Sequence, residues 1–126
     1  MKRDMELCRK ILFAIEERYV STAIHGLKID GYTTEEVAYH CKLLHEAGLI
    51  KDCKIIYASN RIVSFGVSSL TWEGHDFLDK IREDTIWNKT KGLIKDKALP
   101  MTLEVIKEIA TAVISETLKG AMIGTL

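Results

Sequence analysis

Apolar positions recur along this chain with two different periods. Over residues 4–19, Met5, Cys8, Ile11, Leu12, Ile15 and Tyr19 share one helical face, with Lys10, Glu17 and Arg18 opposite. Asp4 stands where its carboxylate can cap that helix. Residues 24–29, IHGLKI, alternate loosely and predict a short strand, closed by a turn at Asp30 and Gly31. The spacing next predicts a helix over 33–47. Thr33 followed three residues later by Glu36 is a capping box, and Val37, Ala38, Cys41, Leu44 and His45 form its inward face. Gly48 sits at the helix stop, and Leu49 is placed to pack back on the last turn.

The period then changes. KDCKIIYAS and RIVSFGVSSL are rich in β-branched and aromatic residues and predict a β-hairpin turning at Ser59 and Asn60. Thr71 caps a helix predicted over 72–84, with Phe77, Leu78 and Ile81 inward. A helical stretch over 86–95 continues it or follows a kink at Asp84 and Thr85. After the break at Leu99-Pro100, a last amphipathic helix is predicted over 102–119, with Leu103, Ile106, Ile109, Ala110, Val113 and Leu118 inward. These elements read as an α+β fold of winged helix-turn-helix type (helix, strand, helix, β-hairpin wing) with added C-terminal helices. The expected division is a winged-helix-like domain over 1–98 and a C-terminal helix over 99–126.

Composition narrows the function classes. With 126 residues, 47% of them hydrophobic, the chain can bury a core. Eighteen Lys and Arg balance eighteen Asp and Glu, so any nucleic-acid surface has to be a local patch. The opening MKRDMELCRK lacks the apolar run of a signal peptide, and no apolar run reaches the ~18 residues of a membrane span. Cys8, Cys41 and Cys53 form no CxxC pair, which points to buried thiols in a reducing cytoplasm. Cys41, His45, His40 and Cys53 have no recognisable zinc spacing, so no metal and no cofactor are expected. His75, Asp76 and Glu73 at a helix start lack a nucleophile. The chain has no Gly-rich phosphate loop, GxSxG or HExxH, and no enzyme is expected.

VAYHCKLLHEAGLI resembles the recognition helix of bacterial winged-helix repressors of the arsenical-resistance and multiple-antibiotic-resistance types. LTWEGHDFL is similar to the segment after the wing in the same superfamily. This resemblance covers about residues 33–78. Over more of the chain, MKRDMELCRKIL, EEVAYHCKLLHEAGLI and LTWEGHDFLDKIREDTIWNK resemble an uncharacterised bacterial family, a domain of unknown function also found in prophages. The resemblance implies a winged-helix-like fold and, from the prophage setting, a transcriptional regulator.

On that reading Tyr39, His40 and Lys42 lie at the groove of double-stranded DNA, and Lys51, Lys54 and Arg61 on the hairpin lie near phosphates. The alternative is a protein-protein interaction module on the same scaffold. Two features weaken the DNA reading. The interval before Thr33 already holds a strand, which leaves the first helix of a helix-turn-helix truncated or missing. The outward face of the 33–47 helix carries Glu35, Glu36 and Glu46 beside Tyr39, Lys42 and Leu43, and carboxylates repel phosphate. Tyr39 and Leu43 form an apolar pair at i, i+4 that suits a protein partner as well as a base. Trp72 and Trp87 are expected to pack in the core. Lys80, Arg82, Lys89, Lys91, Lys95 and Lys97, interleaved with Asp79, Glu83, Asp84 and Asp96, read as a solvated helix face. The last helix has an apolar stripe widened by Ile114, Met122 and Ile123. It is expected to cover helix one and, at its far edge, to form a homodimer.

Overall fold

The computed structural model describes the backbone of residues 1–124 and the side chains of residues 1–120. Met122 and Ile123, expected in the apolar stripe, have side chains outside the described residues. Among the described residues the fold is mixed α+β, with five helices and one three-stranded antiparallel sheet. The order is α1 (Met5–Arg18), β1 (Ile24–His25), α2 (Thr34–Glu46), β2 (Cys53–Ala58), β3 (Arg61–Val67), α3 (Trp72–Ile81), α4 (Asp84–Asp96) and α5 (Leu103–Gly124). The chain divides into two compact units, Met1–Asp76 and Phe77–Leu126, with the division inside α3. The boundary expected at residue 98 falls between α4 and α5, within the second unit.

In the first unit α1 begins where Asp4 caps it, its carboxylate accepting from the backbone N–H of Glu6 at 2.9 Å and of Leu7 at 3.3 Å. Leu7, Cys8, Ile11, Leu12, Ala14 and Ile15 form its buried stripe, and α1 packs on α2. The capping box of α2 is complete. The Thr33 N–H donates to Glu36 Oε1 at 2.9 Å, and the Glu36 N–H donates to Thr33 Oγ1 at 3.1 Å. Gly48 ends the turn after α2 in the left-handed region (φ +79°), which lets the Leu49 N–H reach back to the Leu44 carbonyl. Leu49 is buried there.

The sheet runs β1-β3-β2, with Ile24 opposite Val67 and Cys53 opposite Val67 on the other side. The strand expected over 24–29 stops at His25. Gly26 takes φ +62°, gives its N–H to the Phe65 carbonyl and turns the backbone away. The hairpin turn is a two-residue loop in which Ser59 (φ +53°) and Asn60 (φ +64°) are both left-handed, matching the twist of the flanking strands. A register shift between Ile56 and Tyr57 breaks the ladder in the outer half of the hairpin.

The segment LTWEGHDFL is a structural knot. The Thr71 hydroxyl donates to the Gly48 carbonyl and accepts from the Gly74 N–H at 3.0 Å, capping α3. The Thr71 N–H donates to the Leu49 carbonyl, and Ile50 bridges Leu70. A Cβ at Gly74 would overlap the Leu49 carbonyl oxygen, so only glycine lets α3 start this close to the end of α2. The Thr and Gly of this motif therefore serve the scaffold.

In the second unit α3 ends at Ile81, short of the expected 84, and α4 begins as a separate helix at Asp84. Glu83 at its N-cap makes no side-chain cap. Trp87, Thr90 and Ile94 are buried on α4, and Ile106, Ala110 and Val113 on α5, which packs on α4. The expected packing neighbour of this helix was helix one; within its unit the neighbour is α4. Leu118, expected inward, is 58% exposed. The reason is length: at 1.5 Å per residue α4 rises ~20 Å and α5 ~33 Å, so the last turns of α5 outrun their partner. Among the described residues no helix is long and apolar enough to cross a membrane.

Candidate contact surface on the α2 helix and the hairpin

The residues expected at the contact surface separate into three groups. Lys42 is exposed on α2, with Tyr39 and Leu43 half-buried beside it. Lys51, Lys54 and Arg61 are exposed, Lys51 before the hairpin, Lys54 early in β2 and Arg61 at the start of β3. His40 joins neither set. It is 1% exposed, and both ring nitrogens are used inside the unit. Nε2 accepts from the Asp4 N–H at 2.8 Å, and Nδ1 lies 2.7 Å from the Glu36 carbonyl. Because the Asp4 N–H can only donate, the ring proton must sit on Nδ1, where it donates to that carbonyl. His40 cannot reach a phosphate. It ties the cap of α1 to the first turn of α2, and Tyr39 meets its ring edge-on at 5.7 Å.

The two histidines of α2 exchange the places expected of them. His45 was expected on the core face and is exposed, its Nδ1 3.1 Å from the Ile50 carbonyl. In a 3.6-residue helix both positions border the buried stripe, and the position nearer α1 is the one that is covered. Trp87 is buried as expected, but Trp72 is 80% exposed. Thr71 anchors the first turn of α3 through its cap, so Trp72 needs no burial to be held in place.

The sequence reading missed three residues of the hairpin. Ile56 is 46% exposed, Tyr57 60% and Val63 64%. Phe65 and Val67, nearer the hairpin's root, are buried, and contacts with α2 cover that root. In the outer half of the hairpin Ile62 is half-buried, while Ile56 and Tyr57 stand exposed on opposite faces. Strand composition says only that such residues suit a pleated surface and leaves their burial open. The available signal was the run Ile55-Ile56-Tyr57, which cannot alternate and so puts apolar side chains on both faces.

Across the outer face of the sheet, His25, Gly66 and Lys54 form one row, since Gly66 pairs with both neighbours. A Cβ on Gly66 would stand 3.2 Å from His25 Nδ1. The row lies in a shallow groove of about 330 Å³, with Asp52, Ile56 and Ser64 along it. The thiols are inward. Burial pushes the Cys8 pKa up to about 12 and raises that of Cys41 as well, with both Cys53 and Cys8 near enough to raise Cys41 further. Burial also raises Cys53, against the opposing effect of Lys42. Among the described residues no three His, Cys, Asp or Glu side chains gather as a metal ion would need.

The first unit is thus a small α+β body whose sheet packs on α2 and whose hairpin carries exposed apolar residues in its outer half. The chain belongs to the DUF2513 family of hypothetical proteins, whose profile matches residues 2–100. An uncharacterized protein of Haemophilus influenzae is 46% identical over 121 residues, spanning 94% of this chain and 99% of that relative. No solved structure matches the chain.

Proposed function

We propose that this chain is a protein-protein interaction module on a winged-helix scaffold, with the β2–β3 hairpin as its contact element. The scaffold reading is supported by the order helix, strand, helix, hairpin and by the β1-β3-β2 sheet. The interval between α1 and α2 contains β1 and no helix, so the first helix of a helix-turn-helix is missing. The observation that carries the function is the outer hairpin, with Ile56, Tyr57 and Val63 exposed to water on a two-stranded arm. Such an arm is marginal by itself, and apolar side chains held out on it gain from a partner. The α2 surface argues the same way. Glu35 and Glu46 are exposed and Glu36 is half-buried against one exposed cation, Lys42, which opposes entry into a phosphate-lined groove. Free, inward thiols suit a reducing, cytoplasmic setting.

One observation favours a second reading. Between Asp52 and Glu73 the sequence holds Lys54 and Arg61 and no carboxylate. A cationic wing of this kind suits the backbone of double-stranded DNA, as in a prophage-type regulator similar to the arsenical-resistance and multiple-antibiotic-resistance repressors. Two experiments separate the readings. A photo-crosslinking side chain at position 57 is read in cells for protein and nucleic acid, with position 88 as control. Protein adducts that disappear with Val63→Asp are expected. A labelled duplex is titrated at ~20 and ~200 mM salt; salt-sensitive binding lost in Lys54→Ala/Arg61→Ala would replace the protein reading with the DNA reading.

A further inference from the structure

We propose that a partner of the hairpin is a second copy of this chain, each hairpin docking on the outward face of the other copy's α2. The inference rests on the reading of the hairpin as a protein contact element and names its occupant. The two surfaces have opposite character. The outer hairpin is cationic and free of carboxylates, with Lys54 and Arg61 flanking exposed Ile56 on one face and exposed Tyr57 on the other. The outward face of α2 is acidic at both ends, with exposed Glu35 and Glu46 flanking half-buried Tyr39 and Leu43.

The spacings agree as well. Arg61 is opposite Ala58, four residues beyond Lys54 on β2, which separates the two cations by ~13 Å at 3.3 Å per residue. Glu35 and Glu46 are eleven residues apart on one helix, a rise of ~16 Å, and at 100° per residue they return to within ~20° of one line. Tyr39 lies near that line between them. Lys42 lies on it too, close enough to the hairpin's own Cys53 to act on its thiol. A chain cannot satisfy this match internally, because its α2 contacts the root of its own hairpin and leaves Ile56, Tyr57 and Val63 exposed. Two copies related by a two-fold axis would make the contact twice and close the assembly.

The test is a charge exchange on the full chain, read by sedimentation equilibrium. The wild-type chain is expected to dimerise. Lys54→Glu/Arg61→Glu and Glu35→Lys/Glu46→Lys each place like charges across both contacts, and each alone should associate at least about tenfold more weakly. An equimolar mixture of the two variants puts opposite charges across both contacts and should recover most of the wild-type affinity. All four positions are in water, and recovery in the mixture also shows that both variants are folded. A dimer indifferent to both variants, as one built on the exposed end of α5 would be, overturns the proposal. So does a wild-type chain that stays monomeric at high concentration. If that monomer also bound the labelled duplex through Lys54 and Arg61, the protein reading would fall too; without duplex binding, only the self-association falls.

Discussion

Replacing His40 tests whether a histidine next to the presumed contact face is part of the scaffold. Its imidazole makes two hydrogen bonds from a site 1% exposed. They are not equivalent. The Glu36 carbonyl belongs to α2 and keeps its helical partner if the ring is removed. The Asp4 N–H is an N-cap donor outside the helical ladder, and without Nε2 it has no acceptor at that place. Leaving a buried donor unsatisfied costs about 1–3 kcal/mol, and truncating a ring of this size to a methyl adds a cavity term of about 1–2 kcal/mol. His40→Ala is therefore expected to lose about 2–5 kcal/mol in urea unfolding followed by circular dichroism. His40→Leu restores most of the volume and neither bond, so it should recover the cavity share alone and stay about 1–3 kcal/mol below wild type. A His40→Leu chain within about 0.5 kcal/mol of wild type would refute the reasoning, because the polar link between α1 and α2 would then contribute nothing. Neither variant should alter hairpin-mediated association once corrected for the unfolded fraction.

Two glycines should respond unequally to alanine. At Gly48 nothing lies within 4 Å of an added Cβ, so Gly48→Ala carries only the left-handed backbone penalty of about 1 kcal/mol. At Gly74 the Cβ overlaps the Leu49 carbonyl, so Gly74→Ala should cost more than Gly48→Ala, about 2–3 kcal/mol, and the reverse order in thermal melts would contradict the close approach of α3. Ala98 holds φ +53° after α4, where its N–H and that of Leu99 close the helix on the Lys95 and Ile94 carbonyls. Ala98→Gly should raise stability by about 0.5–1 kcal/mol, measured by differential scanning calorimetry. The thiols set an alkaline limit. Cys8 and Cys41 have folded pKa values raised above the ordinary 9.0, so in alkali the unfolded chain gives up these protons before the folded one. Stability should be unaffected by these thiols below about pH 8 and fall by up to about 1.4 kcal/mol per pH unit per thiol between about 9 and 12. Cys8→Ala should flatten that slope. In native protein Cys53, the half-buried thiol, should react first with a disulfide reagent.

Much of the scaffold was legible residue by residue because it depends on interactions local in sequence. The Asp4 cap, the Thr33–Glu36 box, the left-handed Gly48 and the Ser59-Asn60 turn each join groups a few residues apart, so type and spacing suffice to specify them. The stripes of α1 and α5 were legible in the same way, since a helix repeats its face every 3.6 residues whatever it packs on. Other features depended on partners distant along the chain. His40 and His45 look alike in sequence, and only the approach of Asp4, 36 residues away, makes the first a buried link. Glycine at 74 became intelligible once the Leu49 carbonyl was seen against it. Ile56, Tyr57 and Val63 have the composition of core strand, yet the core reaches only as far as Phe65. Leu118 has the periodicity of a buried face, but α4 ends before reaching it. Periodicity determines which side of an element is apolar, whereas the lengths and placement of its neighbours decide how much of that side is covered.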